Sequence, residues 1–126
     1  MLQTIMHVED NADIRKIAAM SLELIGGFTV VQYETGNDAV KLAHDVRPDI
    51  ILLDLMMPGM SGEETFRQLR KVAGYEALPI VFVTARAATS DYEKLRALGA
   101  AEVIVKPFDP MMLPGQVTEI WEQHQP

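Results

Sequence analysis

Residues 49–62 read DIILLDLMMPGMSG. The run 50–53 is apolar at every position and breaks at a carboxylate, Asp54, ahead of Pro58, Gly59 and Ser61. Continuous apolar character suits a strand of a parallel sheet covered on both faces, because a half-exposed antiparallel strand would alternate. Pro58 and Gly59 make a turn, and Ser61 with Glu64 three residues on stands in capping-box register. The stretch therefore predicts a buried strand, a turn and a capped helix.

The same unit repeats outward in both directions. Short β-branched runs at 4–8, 29–33, 49–53, 79–83 and 102–105 alternate with stretches of helical period. Ile14, Ile17, Ala18, Ser21 and Ile25 stripe a first helix that Asn11 or Asp13 can cap. Ala39, Leu42, Ala43 and Val46 stripe a second, stopped by Pro48. Phe66, Leu69 and Ala73 mark the third, closing near Gly74; Tyr92, Leu95 and Leu98 mark a weak fourth between Ser90 and Gly99. Leu113, Val117, Ile120 and Trp121 stripe the fifth. A helix in every connection implies right-handed crossovers to a parallel sheet with helices on both faces, a doubly wound α/β fold.

Composition bounds the function. The 126 residues carry 11 Lys+Arg against 18 Asp+Glu, a net charge of −7 that repels polyphosphate backbones and argues against direct nucleic-acid binding. Cysteine is absent, which removes disulfides, thiolate nucleophiles and Cys-ligated metals. No apolar run approaches the roughly 18 residues a membrane span needs, and MLQTIMHVED lacks the regions of a secretory signal. The expectation is a single cytoplasmic domain over 1–126.

Sites in doubly wound sheets lie beyond the carboxyl ends of the strands. There the chain places Glu9 and Asp10 after the first strand, Asp54 after the third, Thr84 after the fourth and Lys106 after the fifth. Taken singly these residues are bland: turn formers, a β-former, a snorkelling lysine. Brought together they are not. Carboxylates ~5 Å apart at an effective dielectric near 20 repel by ~3 kcal/mol per pair, so a cation belongs among them. The donors are hard oxygens, the preference of Mg²⁺. A metal, an ammonium and a hydroxyl around one carboxylate form a clamp for phosphoryl transfer, with Asp54 the candidate nucleophile.

With HVEDN, ILLDLMMPGMSG, PIVFVTA and VIVKPF on the page, the chain resembles a receiver domain of a two-component response regulator, of the stand-alone chemotaxis-regulator type. The resemblance spans residues 3 to 108. It implies a flavodoxin-like sheet of order 2-1-3-4-5 with five helices. It further implies Asp54 as phosphoacceptor and as one of the Mg²⁺ ligands, Asp10 as direct Mg²⁺ ligand, Glu9 on metal-bound water and the Met56 carbonyl as a further ligand. Thr84 and Lys106 would bind the phosphoryl oxygens, helped by backbone amides near Met56 and Ala85, and Lys106–Pro107 would be cis. The implied partners are a histidine kinase or histidine phosphotransfer protein upstream and a protein target downstream. The domain would be a switch that catalyses only its own phosphorylation and dephosphorylation.

Two positions depart from the family's pattern. Glu9 replaces the first aspartate of the usual acidic pair, and Val103 stands three residues before Lys106 where an aromatic residue often swings. Valine is stiff at χ1, so a shift of Thr84 would be read out through the fourth helix and the segment 86–91, the part expected to move. Rival functions are an aspartyl-phosphate hydrolase, for which Asp54-Leu55-Met56 lacks the second acid, and a flavin-binding flavodoxin-type module, whose phosphate loop would not carry Glu9 and Asp10. His7, His44 and His124 lack ligand spacing and read as surface or packing residues. The eight methionines read as core filler, with Met56, Met57, Met60, Met111 and Met112 as an alternative partner surface.

Overall fold

The computed structural model describes residues 1–85 and 88–125. Among them five strands, β1 (Thr4–Val8), β2 (Thr29–Tyr33), β3 (Ile50–Asp54), β4 (Ile80–Thr84) and β5 (Glu102–Val105), pair in parallel in the order β2-β1-β3-β4-β5. The helices are α1 (Ala12–Met20), α2 (Gly36–Leu42), α3 (Gly62–Arg70), α4 (Thr89–Leu98) and α5 (Leu113–Gln123). A single π turn, Ser21–Ile25, continues α1, and a 3₁₀ turn, Ala43–Asp45, continues α2.

Every residue of β3 and β4 is buried, which is why their sequence shows no alternation. The pleat still sorts their side chains by parity. Ile50, Leu52, Val81, Val83 and Ile104 pack with Ala18, Leu22, Leu113 and Val117 under α1 and α5. Ile51, Leu53, Ile80 and Phe82 pack with Ala39, Ala43, Phe66, Leu69 and Leu95 under α2, α3 and α4. Each buried aliphatic chain contributes roughly 1.5–3 kcal/mol, so these two layers dominate stability. Small residues set the spacing of α2 on α3: a Cβ at Gly36 would stand 2.0 Å from the Thr65 hydroxyl oxygen.

Several sequence expectations need correction. Both β3 and β4 run one residue further than the apolar runs, so Asp54 and Thr84 are the last residues of their strands rather than the first beyond them. Strand pairing uses only the backbone, and a polar side chain at the mouth does not end it. The π turn shifts the register of the first helix: Leu22 is buried, while Ile17 and Ile25 are about half exposed. Helix α3 ends at Arg70, leaving Ala73 exposed, and Tyr75 fills that part of the core. Its hydroxyl donates to the Ala43 and Val46 carbonyls. Leu42 is exposed on α2. Asn11, not Asp13, caps α1, and Ser90 lies inside α4, whose cap position is Ala88.

Candidate functional site

The carboxyl ends of β1, β3 and β4 open at one edge of the sheet, and the acidic residues meet there. Ligand oxygens of Glu9, Asp10 and Asp54 all lie within 4.8 Å of one another. Glu9 is 1 % exposed and Asp54 4 %, whereas Asp10 is exposed. Lys106, followed by a cis bond to Pro107, places its Nζ 2.6 Å from Glu9 Oε1 and 3.2 Å from Asp54 Oδ1. The strand end is tied down as well, since the Lys106 amide donates to the Thr84 carbonyl at 2.8 Å.

The local sequence explains each placement. Asp54 holds its loop by accepting from the Met56 amide at 3.4 Å. Gly62 opens α3 directly beneath, where a Cβ would stand 2.3 Å from the Asp54 carbonyl oxygen. Thr84 ends β4 with 1 % exposure, one residue beyond the Asp54–Val83 register pair. Met56 exposes its side chain, so only its backbone faces the site chemistry. Both Glu9 oxygens have a partner, Oε1 in Lys106 and Oε2 in the Asn11 amide at 3.2 Å.

Electrostatics follow from crowding in a buried mouth. Burial, then the charge of Glu9, pushes the Asp54 carboxyl up to about 7 against the pull of Lys106. Burial works against the Lys106 charge, but hydrogen bonds and charges from Glu9 and Asp54 outweigh it and raise the ammonium above its ordinary range. With Asp54 ionised, three carboxylates against one ammonium leave two negative charges, which a divalent cation neutralises. Hard oxygen donors of this number fit magnesium.

Beside the site a polar chain starts from a buried histidine and runs outward. His7, in β1, has burial as the main cause of a pKa lowered to about 3, so its imidazole is neutral. Its Nδ1 meets Gln32 Nε2 at 3.0 Å, and the same amide nitrogen donates to the Arg15 carbonyl at 2.8 Å. Arg15 Nη1 in turn donates to the carbonyls of Glu9 and Asp10 at 2.8 and 3.0 Å. Sequence reading passed over Arg15. The available signal was a cation in the first turn of a helix, where the dipole disfavours it.

The family model described as the response regulator receiver domain matches residues 5–118. The chain belongs to that family. The receiver is 34% identical over 126 residues to the phosphate regulon transcriptional regulatory protein PhoB of Escherichia coli K12, covering 100% of this chain and 55% of that protein. It is 37% identical over 118 residues to the DNA-binding response regulator MtrA of Mycobacterium leprae, covering 93% and 50%. The chain thus spans about half the length of these curated relatives. Among solved structures, chemotaxis protein CheY4 of Vibrio cholerae superposes with a TM-score of 0.88 at 28% identity, covering 95% of this chain and 99% of that one. The order of the sheet and its flanking helices are those of a CheY-like flavodoxin fold. A receiver domain is a signalling switch rather than a turnover enzyme, it binds Mg²⁺ at an acidic site, and it implies a histidine kinase partner. The pocket of Glu9, Asp10 and Asp54 fits the phosphoacceptor site of such a domain.

Proposed function

We propose that Asp54 accepts the phosphoryl group and that Asp10, the Met56 carbonyl and, through metal-bound water, Glu9 hold magnesium beside it. One observation carries the reading: a buried carboxylate at the end of the central strand, grouped with two other acids and 3.2 Å from an ammonium. The assignment of Glu9 to bound water rests on the family resemblance; Lys106 and the Asn11 amide take one bond on each of its oxygens and leave lone pairs that can accept from water.

The donor is a phosphohistidine on a histidine kinase or histidine phosphotransfer protein. An Asp54 oxygen bonds to phosphorus as the phosphorus–nitrogen bond breaks, the imidazole keeps the electron pair, and an acyl phosphate forms. Such transfer depends on positioning and on neutralising equatorial oxygen charge. Lys106 supplies charge, its ammonium shifting its hydrogen bond from Asp54 Oδ1 to an oxygen of the phosphoryl group, and the Thr84 hydroxyl donates to another. Bound magnesium supplies the remaining positive charge and lets Asp54 ionise at neutral pH. The same groups serve hydrolysis of the acyl phosphate, so the chain catalyses its own phosphorylation and dephosphorylation. The output is a changed affinity for a protein target in the cytoplasm.

Intact-mass measurement after incubation with acetyl phosphate and Mg²⁺ tests this. Wild type should gain one phosphoryl adduct and Asp54→Asn none. An adduct that survives the substitution moves the nucleophile elsewhere.

A further inference from the structure

The Glu9–Asp10 loop is pinned from outside the acidic cluster. We infer that Arg15 is a positioning residue for the cation site: its guanidinium sets the direction of the Asp10 carboxylate and so tunes magnesium affinity without touching the metal. The inference rests on the magnesium reading above.

The geometry is specific. The Glu9 carbonyl lies in the peptide plane before Asp10, and the Asp10 carbonyl lies in the plane after it. One nitrogen, Arg15 Nη1, bonds both at 2.8 and 3.0 Å. Fixing two successive peptide planes fixes φ and ψ of the residue between them, and with them the Cα–Cβ direction of Asp10. That residue is the exposed member of the acidic group, with the least packing to hold it against repulsion from Glu9 and Asp54. Arg15 is itself braced. Its amide donates to the Asn11 carbonyl at 3.0 Å, and its own carbonyl accepts from Gln32 Nε2, which β2 holds against His7. A bridge from the interior of the sheet thus reaches the loop backbone through one side chain.

Charge and positioning predict opposite signs. A cation near a metal site repels the metal, so removing Arg15 tightens binding if only Coulomb forces act. If Arg15 orients Asp10, removing it weakens binding, by about tenfold on the scale of outer partners that orient ligands. Titration calorimetry with Mg²⁺ alone on wild type, Arg15→Gln and Arg15→Lys separates the two. Arg15→Gln should raise Kd about tenfold, and Arg15→Lys, which keeps the charge and a nitrogen with three donors on a stem one bond shorter, should recover part or all of that loss. At saturating Mg²⁺ the rate of phosphorylation by acetyl phosphate should return to within about twofold of wild type, the split expected of a metal-affinity effect. A general loss of structure would lower that saturated rate as well. Unchanged or tighter Mg²⁺ binding in Arg15→Gln overturns the inference alone. Absence of Mg²⁺ binding in the wild type overturns the magnesium reading and this inference with it.

Discussion

A single hydrogen atom keeps the acceptor in place at residue 62. The nearest neighbours of a Cβ built there are the Asp54 carbonyl oxygen at 2.3 Å and Leu55 Cα at 2.7 Å, both backbone and unable to swing aside. Gly62→Ala must therefore push α3 away or displace the end of β3. Overpacking of this kind costs about 1–3 kcal/mol, and the displaced atoms carry the nucleophile. Urea unfolding should show that loss, and acetyl phosphate labelling of the folded variant should be slower than wild type; labelling at the wild-type rate would show that Asp54 does not depend on this contact. At this scale the sequence was informative about which residues meet and silent about how. The meeting of Glu9, Asp10, Asp54 and Lys106 was legible because topology alone brings strand ends together. Arg15 was not, because it acts through carbonyls, and every residue carries one.

Helix boundaries record which elements are held by sequence-local signals and which by the sheet. Helices α1, α2 and α3 each begin at a cap residue, Asn11, Thr35 and Ser61, whose side chain accepts an amide hydrogen. The capping box at α3 is only half made, since the Glu64 carboxylate takes Gln68 Nε2 instead. Helix α4 lacks a side-chain cap, buries only Leu95, and leans on β5 through polar bonds: Tyr92 to Glu102, and Arg96 to the Ala101 carbonyl. Ala88 already has the extended backbone of a cap residue, φ −64° and ψ 145°. Ala88→Ser should therefore stabilise the domain by about 1 kcal/mol, raising the urea midpoint with an unchanged slope. A midpoint at or below wild type would show that α4 is not limited by its first turn. The weak pattern of this helix was visible in the sequence; the π turn after α1 was not, because a stripe read at 3.6 residues per turn cannot show where the period changes. The segment 86–91, where movement was expected, falls partly on residues 86 and 87, outside those described.

For the molecule as a whole, two buried groups give stability opposite dependences on pH. The folded-state pKa of Asp54 is raised from 3.8 to about 7, so between about 4 and 7 the folded protein binds the extra proton. Stability falls as pH rises through that window, and the full cost is present above it. His7 is lowered from 6.5 to about 3, so between those values the unfolded chain binds the extra proton and stability falls as pH drops. Each slope is about 1.4 kcal/mol per pH unit; between about 4 and 6.5 they nearly cancel, while from about 6.5 to 7 only the Asp54 slope acts. Magnesium couples to the first group. At pH 8 Asp54 is already ionised and the cation relieves its repulsion, whereas at pH 6 the cation must first displace a proton. Saturation at a hundred times Kd stabilises by about 2.7 kcal/mol, a shift on the order of 10 °C for a domain of this size. The Tm rise on adding a fixed Mg²⁺ concentration should therefore be larger at pH 8 than at pH 6. In Asp54→Asn, which removes the titrating group but keeps Glu9 and Asp10, the excess at pH 8 should disappear. Equal shifts at the two pH values in the wild type would mean that the acceptor carboxylate and the cation do not share one mouth.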